Sequence, residues 1–181
     1  MSVSSNPIKS ALIIVDMQKD NVGRYCKDII PQIQSLIRKA REKKMPIIFA
    51  CDSRYPDDSL FERIGIKIHT IKGTEGAEVI DKFAPSPEDM IVEKRMLSAF
   101  FGTDLDFTLR EKEIKKLIIT GVRTEFCFLK TVLDAFELGY EVIIPIDSCA
   151  SPSKEGHEAV LTSLDLLKIK KPTTKELLQQ L

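Results

Sequence analysis

Four side chains with useful chemistry fall just past apolar runs of the chain. Asp16 follows ALIIV at residues 11–15, Asp52 follows PIIFAC at 46–51, and Lys94 follows MIVE at 90–93. Cys127 lies six residues past Gly121, which comes just after the run KLIIT at 116–120. A cysteine near a helix N-terminus meets the positive end of the helix dipole, which favours thiolate. Backbone N–H groups there can also form an oxyanion hole, where one donor is typically worth ~3–4 kcal/mol of transition-state stabilisation. A carboxylate can accept the thiol proton and return it to leaving ammonia, while a buried ammonium holds that carboxylate and stabilises anionic intermediates. Each residue also has a plainer role. Cys127 could fill space between Phe126 and Phe128, as free cysteines often do. Asp16 could cap a helix, and Lys94 could be a surface lysine beside Arg95. Cys26, Cys51 and Cys149 read as small hydrophobes. Asp16, Lys94 and Cys127 taken together point to cysteine-dependent hydrolysis.

These residues need elements to bring them together. Strands are predicted at 11–15, 46–51, 90–93, 116–120 and 140–146, with a short one near 166–169. Helices are predicted at 28–44, 104–113, 124–138 and 153–164, with another at the C-terminus; Ile29, Ile33, Leu36, Ile37 and Ala40 have helical spacing, and Gly139 suits a C-cap. Such alternation, with nearly continuous apolar strands, predicts an α/β fold: three layers, α/β/α, around a central, mostly parallel sheet of about six strands. Ligands of such sheets sit beyond the strands' carboxyl ends, where Asp16, Asp52, Lys94 and Cys127 would converge. The segment 52–75 reads as the longest irregular stretch, and long loops in compact domains are often functional. Residues 1–181 read as one domain, with 1–10 a flexible lead-in.

Composition narrows the function classes. The chain has 181 residues, with 27 basic and 27 acidic side chains giving a formal net charge of zero. No long-range field favours nucleic acid or an anionic membrane, and the apolar runs are too short to span a bilayer. The polar N-terminus lacks a signal-peptide core. The four cysteines form no CxxC pair, so reduced thiols and a cytoplasmic location are expected. The first strand is followed by Asp16-Met17-Gln18-Lys19-Asp20. It carries neither a GxGxxG fingerprint nor the Asp-x-Asp of aspartyl phosphatases.

Three segments together resemble the isochorismatase-like cysteine hydrolases, which include nicotinamidases and N-carbamoylsarcosine amidase. They are ALIIVDMQKDN around Asp16, VEKRMLSAFFGTDLD around Lys94, and GVRTEFCFLKTVLDAFELGYEVIIPIDSCAS around Cys127. The resemblance runs from residue 11 to about residue 160, and implies a catalytic triad of Asp16, Lys94 and Cys127. It implies a thioester or thiocarbamoyl intermediate on Cys127, ammonia release, and a cis peptide at Val122–Arg123. The N–H groups of Arg123 and Cys127 would then serve the oxyanion. Arg123, Thr124 and Phe100 are the implied substrate-binding residues. Nicotinamidases of this family hold a divalent metal through an Asp-x-His start, a second His, and a His before Gly-Thr. Here Asp52 and His69 match, but Arg54 and Asp58 stand where histidines would be. A guanidinium ligates no cation, so no cofactor is expected to be required, and Asp52 and His69 remain as the candidate metal ligands. The expected activity is that of an amidohydrolase acting on a small carboxamide or N-carbamoyl compound, most like N-carbamoylsarcosine amidase. The alternatives are a metal-assisted nicotinamidase-type deamidase and an inactive binding relative. A homodimer or homotetramer is implied as well. His157, on a predicted surface helix, offers a less supported cysteine–histidine pairing.

Overall fold

The structure, a computed structural model, describes residues 9–181. Most of the predicted lead-in therefore lies outside the described residues, but Ser10 already belongs to the first strand and pairs with Lys116. Six strands form one sheet: β1 (Ser10–Val15), β2 (Ile47–Asp52), β3 (Met90–Lys94), β4 (Lys116–Val122), β5 (Glu141–Ile143) and β6 (Cys149–Ala150). The order is β3-β2-β1-β4-β5, with β6 also paired to β4, and every pairing is parallel. The predicted three-layer α/β/α architecture is the one observed.

Strand alternation builds the two flanking layers. Leu12 and Ile14 of β1 face one way, onto Ile33, Leu36 and Ile37 of α1 (Ile29–Glu42). This face is shared by Leu177 of α6 (Thr174–Gln180). Ala11, Ile13 and Val15 face the other way, onto Leu105 and Leu109 of α3 (Leu105–Glu111) and Val132 and Ala135 of α4 (Leu129–Glu137). Central parallel strands covered on both faces must be apolar at nearly every position, which is why they read as unbroken hydrophobic runs.

Several elements differ from their sequence-based expectation. The strand predicted over 140–146 stops at Ile143. Pro145 has no N–H to donate to a ladder, and a 3-10 turn follows at Ile146–Ser148. The sixth strand is Cys149–Ala150, which pairs beyond that break with Gly121 and Val122. The short strand predicted near 166–169 is not formed. Residues Leu164–Leu167 make a 3-10 turn with Leu166 86% exposed, and a single bridge joins Ile143 to Lys170. The helix predicted from 124 starts as a π-helical turn, Thr124–Phe128, before α4. The segment expected to be irregular contains α2 (Ser59–Ile64), six residues long and closed by Gly65 at φ +66°. The helix after β6 is α5 (Lys154–Ser163). No helix of the described residues is long and apolar enough to cross a membrane.

Candidate active site

The carboxyl ends of β3, β2, β1 and β4 lie side by side, and each delivers one element of the site. Asp16, immediately after β1, has φ +52°, a left-handed conformation that aspartate adopts more readily than most residues. Lys94 and Asp52 are register partners at the ends of β3 and β2. Gly121, opposite Val15 in the register, has φ +112°. A Cβ there would lie 2.1 Å from the Val15 carbonyl oxygen. Only glycine lets β4 pass this close to β1, and the cis peptide Val122–Arg123 and the turn carrying Cys127 follow directly.

The resulting cluster is buried. Lys94 Nζ, with its side chain 0% exposed, donates to Asp16 Oδ2 at 3.0 Å, Asp52 Oδ1 at 2.6 Å and the Met96 carbonyl at 3.3 Å. All three ammonium protons thus have acceptors. Cys127 Sγ and a carboxylate oxygen of Asp16 lie within 4.8 Å of each other, close enough for each group to shift the other's protonation. Asp52 is held through its backbone as well: its N–H donates to Gln18 Oε1 at 2.8 Å and to Asp16 Oδ1 at 3.2 Å, and Gln18 Nε2 donates back to the Asp52 carbonyl at 2.8 Å.

Burial, and next the negative charge of Asp52, raise Asp16 to about 6, against the opposing pull of Lys94. Burial opposes the Lys94 ammonium, but Asp16, Cys127 and Asp52 together hold it above its ordinary value, so it stays charged. Burial and the Asp16 carboxylate push the Cys127 thiol well up, with Lys94 pulling the other way. This departs from the expected thiolate: burial and the carboxylates of Asp16 and Asp52 oppose ionisation of the thiol more than the Lys94 ammonium favours it. The resting centre is a neutral thiol beside a carboxylate able to take its proton.

Above this floor opens a cavity of about 520 Å³ lined by Asp16, Asp52, Val122, Arg123, Cys127 and His69 among others. Lys94 is absent from that lining and meets the cavity through Asp16 and Asp52, which both line it. Two predicted substrate-binding residues lie elsewhere. Phe100 is buried against Tyr140, ring centroids 6.0 Å apart. Thr124 is buried with its Oγ1 2.9 Å from Nδ1 of His157, so His157 braces the cysteine turn, and it is not among the residues that line the cavity. Leu97 and Phe126 supply apolar wall instead, with Ile64, Ile66 and Ile68 from the 53–75 segment. Sequence reasoning also missed Gln18, whose type gives no sign that its amide would clamp Asp52, and assigned no structural role to Arg54.

A metal ion is a poor fit to this donor set. Ligand atoms of Asp16, Asp52 and Cys127 lie within 4.8 Å of one another, but the Lys94 ammonium already occupies the carboxylates as their cation. Asp52 Oδ1 also accepts from Arg54 Nη2 at 2.9 Å. Asp58 is paired with Arg95 and accepts from the Tyr55 N–H at 3.0 Å. His69 has its Nδ1 2.8 Å from the Lys67 carbonyl.

A parallel sheet with a buried Asp–Lys–Cys cluster at its carboxyl rim defines a class of enzyme-like folds, and residues 10–176 match the isochorismatase domain family. A relative from Arabidopsis thaliana, described as a probable inactive nicotinamidase, is 31% identical over 188 residues, covering 95% of this chain and 96% of its own. The N-carbamoylsarcosine amidase of Thermoplasma acidophilum superposes with a TM-score of 0.84 at 27% identity, covering 92% and 97% of the two chains. The pyrazinamidase of Pyrococcus horikoshii, solved in complex with zinc, superposes with a TM-score of 0.84 at 31% identity, covering 91% and 99%. The chain belongs to the isochorismatase family of hydrolases.

Proposed function

We propose that this protein is a cysteine-dependent amidohydrolase that cleaves a small carboxamide or N-carbamoyl compound and releases ammonia. The observation that carries this reading is the buried contact of Lys94 with Asp16, beside Cys127, at the floor of one cavity. Asp16 takes the Cys127 proton as sulfur bonds to the substrate carbonyl carbon, and the carbonyl oxygen becomes an oxyanion. The N–H groups of Arg123 and Cys127 are the proposed donors to it. As the C–N bond breaks, the proton on Asp16 passes to the departing nitrogen, which leaves as ammonia. Water then loses a proton to Asp16 and attacks the thioester; the C–S bond breaks, and sulfur recovers its proton. Lys94 stays charged throughout, holding Asp16 and balancing negative charge.

The substrate class rests on cavity chemistry. Arg123 is exposed at the mouth and suits a substrate carboxylate, which a guanidinium can bind with two parallel bonds. This favours a substrate like that of N-carbamoylsarcosine amidase over nicotinamide. The Arg54 and Asp58 pairings argue for hydrolysis without a divalent metal. Retention of Asp16, Lys94 and Cys127 argues against an inactive binding protein. The reading includes a cytoplasmic location and a homodimeric or homotetrameric state, which sedimentation equilibrium checks. A panel assay for ammonia release from carbamoyl amino acids, ureido acids and nicotinamide, with and without divalent metal, tests the activity. Ammonia from the carbamoyl compounds in the presence of a chelator is the expected result, and ammonia from none would overturn the reading.

A further inference from the structure

Arg54 is one of the largest fully buried side chains in the protein, 2% exposed, yet the reaction above gives it no task. Its Nη2 donates to Asp52 Oδ1 at 2.9 Å, its Nη1 to the Arg95 carbonyl at 2.5 Å, and its guanidinium carbon lies 5.8 Å from the centre of the Phe61 ring. The oxygen it holds is the one that Lys94 Nζ holds at 2.6 Å. One carboxylate oxygen is therefore shared by two buried cations. Asp16, Asp52, Lys94 and Arg54 together carry two negative and two positive charges, all shielded from water.

We propose that Arg54 is a positioning residue of the catalytic centre, neutralising Asp52 so that Lys94 remains available to Asp16 and to the charge that forms on Cys127. The inference rests on Cys127 being the nucleophile. When the Cys127 S–H bond breaks and Asp16 gains the proton, total charge is unchanged and one negative charge moves from oxygen to sulfur. With Arg54 in place, that transfer occurs within a cluster whose charges sum to zero. Without it, Asp52 would draw the Lys94 ammonium toward itself, and the cluster would hold a net negative charge before the thiolate forms. At low local dielectric an unbalanced buried charge is strongly unfavourable. A rival role is mechanical: Arg54 ties the end of β2 to the Arg95 carbonyl and packs on Phe61.

Two substitutions separate charge from shape. Arg54→Gln keeps a polar chain without the charge; Arg54→Lys keeps the charge but loses the planar fork that reaches both Asp52 and Arg95. The measurement is the rate of Cys127 alkylation by iodoacetamide near neutral pH in the full chain, read by mass spectrometry, with Cys26, Cys51 and Cys149 as internal references. Arg54→Gln should slow Cys127 by at least about tenfold and Arg54→Lys should stay within about threefold of the original protein. Circular dichroism melting shows whether each variant is folded. Unchanged labelling in both variants, or equal slowing in both, overturns the proposal. Should Arg54→Gln fail to fold, the Lys variant decides: labelling within about threefold supports the role of charge, and tenfold slowing removes it. Equal, slow labelling of all four cysteines in the original protein would overturn the nucleophile itself. Fast, selective labelling at Cys127 that Arg54→Gln leaves untouched would remove only Arg54.

Discussion

Cys127 sits where deleting a single atom should separate chemistry from folding. Cys127→Ala removes the sulfur and little volume, so ammonia release should vanish while stability stays within about 1 kcal/mol. Urea melts beside the panel assay check both, and turnover at the original rate would contradict the mechanism. Asp16 makes a pH prediction. An ordinary aspartate ionises near 3.8, and in this fold Asp16 is raised to about 6. Only the ionised form accepts the thiol proton, so kcat/KM should rise about tenfold per pH unit at low pH and level off above about 6. The linkage to stability runs the other way. A carboxyl raised in the folded state binds its proton more tightly there than in the unfolded chain, so its favourable contribution is complete below 3.8 and is lost as pH rises through about 6. Asp16→Asn should remove the acid limb together with nearly all activity, as read from a pH–rate profile.

At the scale of the elements, the approach of β4 to β1 controls where the cysteine turn begins. A Cβ at Gly121 would meet the Val15 carbonyl oxygen at 2.1 Å and the Val15 nitrogen at 2.7 Å, at φ +112°. Gly121→Ala should therefore destabilise the protein by more than about 2 kcal/mol and move Cys127 away from Asp16, lowering kcat more than it raises KM. Denaturant midpoints and steady-state kinetics on the same preparation test this. Farther from the site, Thr173 and Glu176 form a capping box at the start of α6. Thr173→Ala should cost about 1 kcal/mol in a urea melt and leave turnover unchanged, because no residue of α6 lines the cavity.

For the molecule as a whole, the 53–75 segment supplies one wall of the cavity and also the pairings that disfavour a metal. Arg54 bridges to Ile71, and the Thr70 N–H donates to Asp20 at 2.8 Å, stitching this segment to the rim after β1. Prolonged chelation should therefore leave kcat/KM within about twofold. Metal analysis of the dialysed protein is the companion measurement, and activity lost on chelation but restored by zinc would contradict the reading.

The sequence was informative wherever one signal fixed one outcome. Apolar runs at 11–15 and 116–120 are short, rich in β-branched residues and alternate with amphipathic stretches, which reads as strands buried on both faces, and so the parallel sheet and its carboxyl rim could be read directly. The meeting of Asp16, Lys94 and Cys127 at one rim was legible because their motifs surround them in order. Short elements were not: six residues of α2 and two of β6 are too few for periodicity to register, and the break at Pro145 moved the last pairing partner to Cys149. Nor could local sequence give the protonation of Cys127. Its position near a helix start argues for thiolate, while the finished fold surrounds it with carboxylates and excludes water. Residue types and their order along the chain determined which groups could react. Only tertiary structure decided their charges, because desolvation and Coulomb energies depend on neighbours brought together from four strand ends, among them Arg54 and Gln18, whose contacts with Asp52 no motif gave.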